Sequence, residues 1–123
     1  MLIRNINETP RRPVEMEGAH DASMAVMCGR EHGAPTFALR QFEVAPGGCT
    51  PRHSHDYEHE VYVVSGAGEV LLEGAYRPIK AGDVIYVPAD EEHQFRTDAD
   101  GGGLRFLCMV PVTRNCGEAV PGS

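Results

Sequence analysis

The chain has 123 residues, the length of a single domain whose core can stand without disulfide staples. Eighteen acids against eleven bases give a net charge of −7, the wrong sign for a polyanion binder, and the one local basic cluster is Arg11-Arg12. That balance argues against nucleic acid and anionic membrane surfaces as partners, and no apolar run approaches the roughly 18 residues of a transmembrane helix.

Three regions are expected in chain order. Residues 1–35 read as a polar N-terminal arm with room for one short strand, 36–112 as a barrel, and 113–123 as a polar tail. The start, Met1-Leu2-Ile3-Arg4-Asn5, has neither the apolar stretch nor the cleavage site of a secretory signal, so the sequence reads as cytoplasmic. The four cysteines, Cys28, Cys49, Cys108 and Cys116, form no CxxC pair and are expected as reduced thiols.

Fourteen glycines and nine prolines spread along the chain signal many turns between short strands. Met24–Cys28 is an apolar run suited to a strand, and Gly29–Pro35 a turn. Thr36–Val44 alternates, placing Ala38, Arg40, Phe42 and Val44 on one face, and Pro46-Gly47-Gly48 closes it. His59–Ser65 is β-branched and aromatic; Gly66-Ala67-Gly68 reads as a turn into Glu69–Glu73. Tyr76–Ile79, Val84–Val87 and Gln94–Thr97 follow as short strands, then the loop Asp98–Gly103. Leu104–Val110 is the last strand, with Leu104, Phe106, Cys108 and Val110 on one face. No window of about 11 residues carries a helical period, so the pattern predicts an all-β antiparallel sandwich or barrel.

Of the six histidines, His53, His55 and His59 fall within seven residues, and His93 lies in a later strand-rich stretch. His53 and His55 are two apart, so an extended strand presents both imidazoles on one face. A ligand four residues on can return across a bend, and His93 can complete the set. Imidazole suits zinc, copper, iron, nickel and manganese. Isolated surface histidines, as His20 and His32 read, carry no such pattern. Cys49 raises a closed zinc site, but no second cysteine stands at a suitable spacing.

These residues resemble the two motifs of the cupins. Gly47, five residues, His53-Ser54-His55, three residues, position 59, six residues and Gly66 follow the first. Gly82, Pro88 and His93 follow the second, with Asp90 where the pattern has Gly and Thr97 where it has Asn. His59 stands where the family usually has Glu. Glu60 is the alternative, one residue out of register with Gly66. Parity puts His59, Val61 and Val63 on one face and Glu60, Tyr62 and Val64 on the other; the register favours His59. The resemblance implies a double-stranded β-helix, a jelly-roll barrel, that forms a homodimer. Within the small single-domain manganese cupins it implies one divalent metal, Mn²⁺ or Fe²⁺, held by His53, His55, His59 and His93.

A pocket lined by Arg40, Phe95, Phe106, Cys108 and Val110 is expected beside the metal. Arg40 on an apolar face binds a substrate carboxylate, pairs with a buried acid, or points outward if Phe37 and Leu39 form the core face. Cys108 is a small core hydrophobe or a functional thiol. Four neutral imidazoles leave the charge of a divalent ion uncompensated, and two open positions suit a substrate and dioxygen. The expected function is a metal-dependent, oxygenase-type enzyme acting on a small, largely apolar substrate, its catalytic residues unassigned. The alternatives are a non-catalytic module binding a small molecule or metal, and an isomerase, whose base, Glu60 or Tyr62, would sit on the wrong face.

Overall fold

A computed structural model describes residues 1–113; the expected tail beyond Thr113, with Cys116, lies outside them. Eight strands carry the described chain: β1 (Arg12–Pro13), β2 (His20–Cys28), β3 (Phe37–Cys49), β4 (His59–Leu72), β5 (Ala75–Lys80), β6 (Val84–Val87), β7 (Gln94–Arg96) and β8 (Leu104–Pro111). The helical content among them is two single 3₁₀ turns, Ile6–Glu8 and Arg30–His32. No helix of the described residues is long and apolar enough to cross a membrane.

The two long strands organise the rest. β3 pairs with β2 and β8, and β4 pairs with β5, β6 and β8. β7 joins both, with Arg96 opposite Cys49 of β3 and Glu69 of β4. The path β3–β8–β4–β7–β3 therefore returns on itself, and the sheet is a closed all-β barrel of jelly-roll type.

Period-two patterning fills that barrel. Ala38, Arg40, Phe42 and Val44 of β3, Leu104, Phe106, Cys108 and Val110 of β8, and His59, Val61 and Val63 of β4 are all buried. Glu60, Tyr62 and Val64 face out. The register sets Phe106 between Phe42 and Val63, and Cys108 between Arg40 and Val61. Phe106 stacks on Phe42 and Phe95 at ring-centroid separations of 5.2 and 4.4 Å. Each such side chain taken from water stabilises the fold by about 1.5–3 kcal/mol.

Three boundaries differ from the sequence expectation. β2 starts at His20, not Met24, and runs antiparallel along β3 from Cys49 to Leu39; with β1 paired to it, the arm is part of the sheet. Its polar first residues have little strand character of their own, but a 13-residue neighbour supplies the ladder. Pro46-Gly47-Gly48 does not end β3. Gly47, at φ 80°, bends the strand, and its N–H still reaches Asp98 O at 3.2 Å. Likewise Gly66-Ala67-Gly68 is no turn but the kink of one 14-residue strand, with a register shift between Val63 and Ser65.

Candidate metal centre

The first histidine pair lies in the connection between β3 and β4, not in a regular strand as expected. Pro51 has no N–H to offer a ladder, and His53 makes an isolated antiparallel bridge with His93. His53 N–H donates to His93 O at 3.2 Å and His93 N–H to His53 O at 2.9 Å. Asp90 N–H then donates to His55 O at 2.7 Å, tying the two motif loops together again. Asp90 adopts φ 66°, a left-handed conformation that Gly takes freely and Asp tolerates, which accounts for the departure from the Gly of the pattern. Thr97, in place of Asn, receives Gly48 N–H at 3.2 Å and donates to Ala45 O at 2.6 Å, clamping the bend of β3.

Ring nitrogens of His53, His55 and His93 lie within 4.8 Å of one another. His59, fully buried at the start of β4, brings its Nε2 to 2.7 Å from Nε2 of His55, while neighbouring Glu60 is exposed. Its ring centroid is 5.0 Å from that of His93. His55 Nδ1–H donates to Tyr57 O at 3.1 Å and His93 Nδ1–H to Glu91 O at 3.0 Å. A carbonyl only accepts, so on both rings Nδ1 carries a hydrogen and Nε2 is the atom that can ligate.

That donor set fits a divalent ion. Two imidazole nitrogens 2.7 Å apart repel unless a hydrogen or a cation lies between them. Burial, then the charges of His55, Arg40, His93 and His53, hold the His59 pKa far below the usual histidine range, keeping it in the neutral form that ligates metals.

Behind His59 stands a second layer. His59 Nδ1 is 3.1 Å from Cys108 Sγ, and Arg40 Nη2 donates to the same sulfur at 3.2 Å. Arg40 and Cys108 are both fully buried, so the outward orientation of Arg40 is excluded; its guanidinium also lies 5.2 Å from the centroid of Phe42. Burial pushes the Cys108 thiol up, partly opposed by the Arg40 charge, and favours the neutral thiol. Phe95, Phe106 and Val110 are buried in the barrel interior, Phe106 one inward step further from His59 along β8 than Cys108. His20 opens β2 at the surface, and His32 accepts Gly29 N–H through Nδ1 at 3.1 Å.

One residue escaped the sequence reading. Tyr57 stacks on His55 with centroids 3.9 Å apart and planes 5° from parallel, fixing that ring from the side while its carbonyl fixes Nδ1. An aromatic side chain between the second and third histidines was the available signal.

Similarity to known proteins agrees with this fold. The structure superposes on the polyketide cyclase RemF from Streptomyces resistomycificus with a TM-score of 0.86 and 32% identity, covering 90% of this chain and 79% of that one. A methylsulfurylase of 1-methylthio-D-xylulose 5-phosphate from Rhodospirillum rubrum is 38% identical over 80 residues, 65% of this chain, which spans about half (51%) of that relative's length. An oxalate-binding protein from Thermotoga maritima is 30% identical over 115 residues, 89% of this chain and 93% of its own. The cupin domain model matches residues 40–110, more than half of the chain and nearly all of the closed barrel path, and the protein belongs to the cupins.

Proposed function

We propose that this cupin is a metal-dependent enzyme in which His53, His55, His59 and His93 hold one divalent ion, Mn²⁺ or Fe²⁺, and that its substrate is a small, largely apolar compound that meets the ion through oxygen. The observation that carries this reading is the convergence of the imidazoles, two of them with Nδ1–H committed to backbone carbonyls, which leaves Nε2 as the ligating atom of each. Such an ion, with no carboxylate ligand to offset its charge, supplies strong Lewis acidity toward enolate-like oxygens.

The chain's own residues do the rest. His53 and His93 are held in place by their shared bridge, and Tyr57 braces His55. Phe95, Phe106 and Val110, with Arg40 and Cys108, would bound the substrate side with a dry wall, which supports oxygenase-type turnover because a reactive intermediate is shielded from water there. The likeness to a polyketide cyclase favours a second reading, enolisation or ring closure without oxygen. The oxalate-binding relative supports a ligand that chelates through two oxygens. A homodimer belongs to the same proposal: Tyr62 and Val84 are exposed cross-strand neighbours, and Tyr86 lies beside them, giving a second copy an apolar face.

The test is turnover of small phenols, enols and 1,3-diketones by Mn²⁺- or Fe²⁺-loaded protein, with and without air. Oxygen uptake coupled to product supports the oxygenase. Product formed equally under nitrogen supports the second reading. Binding without product under either condition overturns the enzyme reading in favour of a binding module.

A further inference from the structure

His59 differs from His55 and His93 in what stands behind it. His55 and His93 each direct Nδ1 at a backbone carbonyl, which can only accept, so their hydrogen is fixed on Nδ1. His59 directs Nδ1 at Cys108 Sγ, 3.1 Å away, and a thiol can both donate and accept. On its other side His59 Nε2 lies 2.7 Å from the His55 Nε2 lone pair. That contact is favourable in two ways. Without a cation, His59 carries its hydrogen on Nε2 and donates to His55. With a cation between the rings, both Nε2 atoms are lone pairs, and the hydrogen of His59 must sit on Nδ1.

We propose that His59 is the ligand that changes tautomer when the metal binds, and that Cys108, held by Arg40, is the positioning residue that makes both tautomers satisfiable in a fully buried place. This rests on the metal-centre reading above. In the metal-free protein the Cys108 S–H donates to bare His59 Nδ1. In the loaded protein His59 Nδ1–H donates to Sγ, and the S–H turns away. One N–H bond is lost at Nε2 and one is formed at Nδ1, with no net gain or loss of protons. The Arg40 Nη2–H···Sγ contact at 3.2 Å leaves the sulfur a second lone pair to face His59. Neither His59 nor Cys108 is exposed, so water cannot replace the thiol as that partner.

The test is a long-range ¹H–¹⁵N correlation spectrum of the histidine side chains, metal-free and with Zn²⁺, joined to Zn²⁺ competition titrations of Cys108→Ser and Cys108→Ala. The expected spectrum shows His59 passing from Nε2–H to Nδ1–H while His55 and His93 keep Nδ1–H in both states. Cys108→Ser, whose hydroxyl also donates and accepts, is expected to keep wild-type affinity. Cys108→Ala, which can do neither, is expected to lose about 10–100-fold, the usual cost of losing a ligand's outer partner. His59 in one tautomer in both states, or Cys108→Ala binding as tightly as wild type, overturns the proposal. Zn²⁺ shifts confined to His53, His55 and His93 also overturn it while leaving a metal centre in place, whereas no shift at any of the four removes both readings. Should Cys108→Ala fail to fold, the wild-type spectra and the Ser variant still decide.

Discussion

His53 and His93 exchange both backbone hydrogen bonds, at 3.2 and 2.9 Å, with imidazole centroids 4.9 Å apart. The bridge makes the spacing of two ligand candidates a property of the backbone and not of side-chain choice. It joins the loop before β4 to the residue before β7, so barrel closure at β7 and convergence of the histidine cluster share one backbone contact. A substitution that loosens the barrel there is expected to loosen metal binding with it.

Inward His59 and outward Glu60 give opposite expectations. His59→Ala is expected to lower metal content sharply, since it removes the one candidate ligand on β4. Glu60→Ala removes an exposed side chain opposite Tyr86 and Met109 and is expected to leave metal content unchanged. Elemental analysis of the two purified variants reads this, and metal lost from Glu60→Ala alone would reverse the assignment.

Cys108 is expected to be inert toward thiol reagents in the native protein. It is fully buried and its pKa is raised, while Cys28 and Cys49 are half-buried. Mass-resolved alkylation should label Cys28 and Cys49 first and Cys108 only on unfolding.

Phe106 is the centre of the aromatic stack with Phe42 and Phe95. Phe106→Ala is expected to lower the unfolding free energy by about 3–5 kcal/mol, because so tightly packed a site cannot collapse around the void. Urea denaturation monitored by far-UV circular dichroism measures it.

Gly66 explains its motif position. Its φ is 83°, and a Cβ there would run into the carbonyl oxygen of Gly103. Gly66→Ala is expected to destabilise by more than about 1 kcal/mol, since the strain has no flexible side chain to absorb it. The same denaturation experiment reads it, and an unchanged midpoint would show that β4 can straighten at this kink.

The parts legible in the sequence were those with local spacing. The alternation of Ala38-Leu39-Arg40-Gln41-Phe42 and of Leu104 to Val110 announces buried faces, and His53-x-His55 announces the histidine cluster. Pro46-Gly47-Gly48 and Gly66-Ala67-Gly68 have turn composition, so in the sequence these barrel bends look like strand ends. What keeps them in strands is pairing on either side, to β2 and β7 around the first bend and to β5 and β8 at the second, which no local window contains. The His59–Cys108–Arg40 arrangement was hidden for the same reason, since it arises from the register of three strands distant in sequence. Tyr57 is invisible to such patterning because a loop aromatic has no periodicity to place it, and its stacking on His55 exists only once the loop is folded.

The most direct test of the metal centre is elemental analysis of protein purified without an affinity tag, set beside His93→Ala prepared in the same way. A single divalent first-row ion per chain in the wild type, absent or strongly reduced in His93→Ala, is the predicted result. A wild-type protein that carries no ion and takes up none on incubation with Mn²⁺, Fe²⁺ or Zn²⁺, or a His93→Ala variant that keeps its full complement, would contradict it.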